Sequence, residues 1–189
     1  LGDIVEAVFK GIMRAANVDF QDSDTVTLET KHGSIKGSYD MVLDNRVDDI
    51  KSASGWSYLN KFVDVFTLQK SDSFGYIAQL VGYAKAAKKE IGGWWVINKN
   101  TGEFKYVDAA FIDADEEYAK IEETAAYIKN DEPFERCYTD VPELYYGKPS
   151  GNRKLGVECS FCAFKENCWE NLQSLPSKGA VPIQDNEVD

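Results

Sequence analysis

The sequence predicts an α/β chain, and three stretches carry that prediction. The first sixteen residues place apolar side chains at helical spacing, residues 25–52 alternate with period two around turn formers, and residues 56–90 are rich in helix formers. Taken in order, Ile4, Val5, Val8, Phe9, Ile12 and Met13 predict an amphipathic helix over Leu1 to Ala16. Glu6 lies beside that stripe, where a carboxylate commonly snorkels to water. A polar connector, Asp19 to Asp24, leads into strands Thr25 to Thr30 and Ser34 to Gly37 around a His32-Gly33 turn. His32, the only histidine, reads as an exposed turn residue.

Tyr39 to Leu43 and Val47 to Ser52 flank Asp44-Asn45-Arg46 and predict an antiparallel hairpin. Trp56 to Phe66 is expected to be helical, and Asp72-Ser73-Phe74 to cap a helix running to about Glu90. Gly93 to Asn98 and Glu103 to Asp108 flank Asn100-Thr101-Gly102 as a second hairpin, with Trp94 and Trp95 on opposite faces as core and sheet cover. Asp113 to Asn130 is an acidic amphipathic helix of an outer layer, with Pro133 marking its end. No internal repeat or linker stands out, and the acidic tail beyond Leu175 is expected to fray.

At 189 residues, with 43% hydrophobic and 13% aromatic content, the chain can bury one ordinary core. It holds no apolar run near the ~20 residues of a membrane span and no signal-peptide pattern. It opens at Leu1 rather than Met, so sequence ahead of Leu1 is expected. The net charge of −11 counts against a nucleic-acid binder, whose footprint is ordinarily basic. Metal ions at an acidic site and a gathering of the 21 Lys and Arg on one face would soften that objection. The four cysteines, Cys137, Cys159, Cys162 and Cys168, lie in the last third. Clustered thiols in a chain with its own core point to a reducing, cytoplasmic compartment and metal binding rather than a disulfide scaffold.

Candidate chemistry concentrates in Gly37 to Ser54. Strand alternation puts Asp49 and Lys51 on one face and Ile50 on the other, and it excludes Asp48 from the Lys51 face. With Asp40 of the neighbouring strand turned the same way, two carboxylates and one ammonium converge. That set suffices to hold Mg²⁺ and handle a water. An acid-x-Lys triplet alone arises often by chance, and its plain reading is a solvated ion pair. Gln79 and Tyr83, one helical turn apart, share a face and can brace such groups or contact a phosphate. Cys159-x2-Cys162-x5-Cys168, with Cys137 upstream, offers thiolates to one centre, zinc being the default for that spacing alone.

The ordered set, Asp40, Asp49-Ile50-Lys51, Gln79-x3-Tyr83 and the late cysteines, resembles the PD-(D/E)XK nuclease superfamily, in its RecB-like, CRISPR-adaptation and phage-exonuclease branch. Gly37-x2-Asp40 and the small residues Ser52-Ala53-Ser54-Gly55 fit the same pattern, and Gly2 and Glu6 match the Gly-x3-Glu of several phage exonucleases, where other members carry His. The resemblance implies a restriction-endonuclease-like core over 1–136, a central mixed sheet flanked by helices. It implies a cysteine-ligated metal module over 137–175 packed on that core, and an acidic tail over 176–189. It also implies a Mg²⁺- or Mn²⁺-dependent DNA nuclease, an exonuclease more than an endonuclease. Asp40, Asp49, Glu6 and the Ile50 carbonyl would hold the ion, Lys51 would orient water, and Gln79 and Tyr83 would support them. The four cysteines would carry a [4Fe-4S] cluster or zinc. In that branch the fourth cysteine ordinarily precedes the core, whereas Cys137 follows it. Expected partners are DNA and a helicase, recombinase or CRISPR-adaptation protein, with no membrane. The rival readings are a non-catalytic DNA-binding or assembly subunit and a zinc-ribbon structural protein.

Overall fold

The computed structural model describes residues 2–131, 135–169 and 171–173. The chain divides into two compact units, Leu1–Asp131 and Glu132–Asp189. Pro133 and the acidic tail lie outside the described residues.

The first unit is a mixed α/β assembly. Helix α1 (Gly2–Ala15) is followed by strands β1 (Asp24–Thr30) and β2 (Gly33–Tyr39), which pair antiparallel as a separate ribbon. β3 (Met41–Leu43) and β4 (Arg46–Ala53) form the expected hairpin. Its two-residue turn puts both Asp44 and Asn45 at positive φ (50° and 65°), the pairing that suits a tight hairpin and residues that tolerate it. A helical crossover follows through α2 (Gly55–Asn60), α3 (Val65–Gln69) and α4 (Tyr76–Ala87). It returns the chain to β5 (Glu90–Asn98), parallel to β4, and β6 (Phe104–Asp108) closes antiparallel on β5. The sheet order is β3-β4-β5-β6, a mixed sheet as expected. Helix α5 (Ala114–Lys129) buries none of its residues fully and is an outer layer.

Period two sorts the sheet into two faces. Val47, Ala53, Trp94, Val96 and Val107 join Ile77, Leu80, Val81 and Ala84 of α4, with Phe62, Val65 and Leu68 of the crossover, in one core. Ile50, Met41 and Ile97, with half-buried Trp95, join Phe9 and Met13 of α1 in the other. Trp94 and Trp95 therefore take opposite faces. The apolar stripe of α1 is only partly used: Ile4, Val8 and Ile12 stay exposed, while Lys10 is buried.

Two boundaries differ from the sequence prediction, each because of a cap. The helix expected over Trp56 to Phe66 is two short ones, since Ser54 caps α2 by accepting the Ser57 N–H and Asp64 starts α3 by accepting the Thr67 N–H. The helix after Asp72 begins at Tyr76, whose N–H and that of Ile77 are held by the Asp72 carboxylate. It ends at Ala87 rather than Glu90 because Lys88 turns left-handed, which releases Glu90 to begin β5.

Across from Asp48 the ladder slips: Val47 pairs with Ile91 but Asp49 with Trp94, so Gly92 and Gly93 form a bulge. Buried Asp48 fills it, accepting the Gly93 N–H (2.9 Å), the Tyr106 hydroxyl (2.9 Å) and the Trp95 indole N–H (3.0 Å). A Cβ on Gly92 would come within 1.9 Å of the Asp48 carboxylate.

The second unit contains a hairpin absent from the sequence prediction, β7 (Val141–Tyr145) with β8 (Lys148–Lys154). Tyr146 and Gly147 make its turn at positive φ (49° and 78°). Helices α6 (Val157–Ser160) and α7 (Lys165–Cys168) follow. Among the described residues no helix is long and apolar enough to cross a membrane.

Gly92→Ala is expected to cost roughly 2–4 kcal/mol of unfolding free energy in urea, through overpacking and lost hydrogen bonds to a buried carboxylate. A midpoint unchanged from wild type would show that the bulge does not hold Asp48.

Candidate active site

Strand β4 carries the centre of the site. Asp49 and Lys51 project to the α4 face, and the Lys51 Nζ lies 2.7 Å from Asp49 Oδ2. Among the described residues that buried oxygen accepts no hydrogen bond from any group other than Lys51. Asp40 sits where β2 passes into β3, and its Oδ2 accepts the Ile50 N–H at 2.7 Å. One backbone amide thus turns the neighbouring strand's acid toward β4. From α4, Gln79 accepts the Lys51 ammonium at 3.1 Å and donates its own N–H to the Tyr83 hydroxyl at 3.0 Å. Asp40, Asp49, Lys51, Gln79 and Tyr83 form one connected constellation.

Gly37 explains how Tyr83 gets there. A Cβ at Gly37 would lie 2.6 Å from the Tyr83 ring, so the bare strand makes room for the phenol. The glycine three residues before Asp40 therefore packs against the Tyr83 ring.

The electrostatics fit a cation site. Burial, followed by the Asp49 carboxylate, pushes the Asp40 carboxyl up to about 6 against the opposing Ile50 N–H and Lys51 ammonium, and Glu6 adds to the rise. Burial works to lower Lys51, yet the Asp49 and Asp40 carboxylates outweigh it and hold the ammonium above its ordinary value. A divalent cation would relieve the Asp40–Asp49 repulsion and use the spare acceptor capacity of Asp49. Mg²⁺ is ordinarily held by one or two carboxylates plus waters or substrate phosphates, so this pair fits it.

The larger ligand set is not assembled. Glu6, on α1, is near enough to act on Asp40, but its Oε1 is 2.6 Å from the Lys10 ammonium, which also lies 2.9 Å from Asp22. Glu6 is thereby paired with Lys10, and among the described residues no three His, Cys, Asp or Glu side chains stand as a metal-holding group. Ile50 contributes its N–H to Asp40, while its side chain is buried against α1 residues. The sequence spacing of Lys10, one turn from Glu6, could have signalled this pair.

The same holds for the cysteines. The Cys159 thiol is pushed up by burial and by nearby Cys162 and Cys168, against a hydrogen bond with Trp169, so these three are neighbours. Cys137 is exposed and its thiol points to the Glu135 carbonyl. All four thiols are free, and among the described residues they are not gathered into one metal-holding group.

Sequence reasoning missed Tyr76. Its ring lies 5.1 Å from the Lys51 ammonium and 4.9 Å from that of Lys61. An aromatic at the first position of a helix carries no sequence signal for that role.

Asp40→Asn tests the electrostatics. A carboxyl whose folded value is raised binds its proton more tightly in the folded state, so stability falls as pH rises from the unfolded value near ~4 through about 6. Above that window the variant should be the more stable protein, by up to on the order of 3 kcal/mol, with the two converging at pH 4 in thermal melts. Equal stability at pH 7.5 would contradict the raised Asp40 carboxyl and with it the combined effect of burial and the Asp49 charge.

No family model matches the chain, and no curated protein matches it. Among solved structures, that of SSO0001 is similar over 91% of this chain and 70% of that one, at 16% identity and a TM-score of 0.48, a likeness too low to transfer anything.

Proposed function

We propose that the protein is a divalent-metal-dependent DNA nuclease, an exonuclease more than an endonuclease, that hydrolyses phosphodiester bonds. The observation that carries this reading is the convergence of Asp40, Asp49 and Lys51, with the Gln79–Tyr83 pair behind the ammonium. It is the arrangement expected from the PD-(D/E)XK resemblance. Asp40 and Asp49 would hold Mg²⁺ or Mn²⁺, with Glu6 available once released from Lys10. The ion would supply charge stabilisation on the scissile phosphate and a more acidic water.

The chain's own groups do the rest. Lys51, kept charged by the flanking carboxylates, orients the water or meets the charge that develops on phosphate oxygens. Gln79 fixes the Lys51 ammonium from one side, and Tyr83 fixes Gln79, so the cation keeps its position as charge develops. The net charge of −11 favours a second reading, a DNA-binding or assembly subunit without catalysis. The complete acid, acid and amine set favours the enzyme.

The Cys-x2-Cys-x5-Cys spacing and the proximity of Cys159, Cys162 and Cys168 support a cysteine-held [4Fe-4S] cluster or zinc, with a structural role. Anaerobically purified protein would show absorbance near ~400 nm for the cluster and none for zinc.

Labelled linear DNA incubated with Mn²⁺, against an EDTA control, tests the reading. Wild type is expected to cleave, and Lys51→Ala to keep its circular dichroism spectrum, with a lowered melting temperature, while losing at least about a hundredfold in rate. Undiminished metal-dependent cleavage by Lys51→Ala would reject the mechanism.

A further inference from the structure

We infer that Lys61, Phe74 and Tyr76 form a subsite for the single strand flanking the scissile phosphate, Lys61 taking the adjacent phosphate and Phe74 stacking a base. The inference rests on the nuclease reading for its place beside Lys51 and on separate geometry for its chemistry.

Tyr76 is the link. Its half-buried ring has the Lys51 ammonium at 5.1 Å and the Lys61 ammonium at 4.9 Å, so two cations share one aromatic ring. The same Lys61 ammonium lies 5.1 Å from the Phe74 ring. Phe74 is 46% exposed and stacks at 6.0 Å and 30° on Tyr76. Phe62, buried, backs Tyr76 at 5.7 Å. Lys61 thus lies against both members of a stacked Phe74–Tyr76 pair, and Lys51 against Tyr76, so two cations and two rings cluster beside the site with Phe74 exposed. The Asp72 carboxylate, by gripping the Tyr76 and Ile77 N–H groups, fixes the start of α4 and with it the ring.

A cation set against an exposed aromatic face matches one ligand chemistry. A polynucleotide strand offers phosphates and bases in turn, and a cation with an exposed aromatic face binds both without reading sequence. The face must meet an unpaired base, because a duplex keeps its bases stacked on one another. The occupant is therefore single-stranded DNA, or a duplex end opened by at least one nucleotide. In a chain of net charge −11, such a local pair of cations offsets part of the repulsion a strand would meet.

The test uses the full chain and a fluorescent single-stranded oligothymidylate, with binding measured in EDTA and cleavage in Mn²⁺. Phe74→Ala is expected to weaken binding roughly tenfold at unchanged salt dependence, the loss of one stacked base. Lys61→Gln is expected to lower the slope of log affinity against log salt by about 0.7, one single-strand phosphate. In cleavage, both should raise KM more than they lower kcat. A 2-aminopurine base placed next to the scissile position should be quenched by wild type and not by Phe74→Ala. Both variants should keep the wild-type circular dichroism spectrum. If wild type cleaves and both variants bind like it, the subsite is wrong while the nuclease reading stands. If wild type binds and the variants weaken as stated but nothing cleaves, the subsite stands and the nuclease reading falls. If wild type binds no single strand, the inference is overturned.

Discussion

The backbone bond from the Ile50 N–H to Asp40 is the contact on which the site depends. β4 offers an acid and an amine on one face because alternate residues share a face, but a single strand supplies only one carboxylate at that height. Asp40 comes from the end of the β2 ribbon, and on β4 the Ile50 amide, with the Lys51 ammonium, holds it against the charge of Asp49. The bond crosses the faces: its donor belongs to a residue whose side chain is buried with α1, and its acceptor serves the α4 side. Two like charges are thereby kept together, at a cost offset by the Lys51 ammonium.

What keeps the correct acid on the correct face is the other carboxylate. Asp48 and Asp49 are adjacent, so a one-residue slip of β4 would exchange them and send Lys51 to the α1 side. Three donors grip Asp48, and two of them, Gly93 and Trp95, come from the neighbouring β5, where the glycine bulge makes the room. Burial pushes the Asp48 carboxyl up against these three bonds, and a slipped register would leave the buried group without them, which pins one register. Burial and the Asp48 charge push the Tyr106 hydroxyl up, so it remains a donor. The acid that does no chemistry thus sets the position of the one proposed to do it.

Much of this was legible in the sequence where the signal was local. Asp44-Asn45 gave the hairpin, period two separated Asp49 from Asp48, and the i,i+4 spacing placed Gln79 and Tyr83 together. Contacts distant in sequence were not legible. Nothing in Gly37 announces the ring of Tyr83, nothing in Gly92 announces Asp48, and nothing in Tyr76 announces two lysines. Glu6 shows the limit from the other side. Its spacing fitted a motif, yet a buried lysine one turn along the same helix claims it. The cysteine spacing likewise describes proximity for three thiols but not the place of the fourth.

The central claim is that Asp40 and Asp49 converge to hold a divalent cation. Titration of Mn²⁺ into the protein at pH 7.5, followed by electron paramagnetic resonance of the free ion, measures this without reference to turnover. The account predicts an ion bound in wild type that Asp49→Asn loses while Glu143→Gln, in the other unit, retains it. Equal Mn²⁺ binding by wild type and Asp49→Asn, or no binding by wild type, would contradict it.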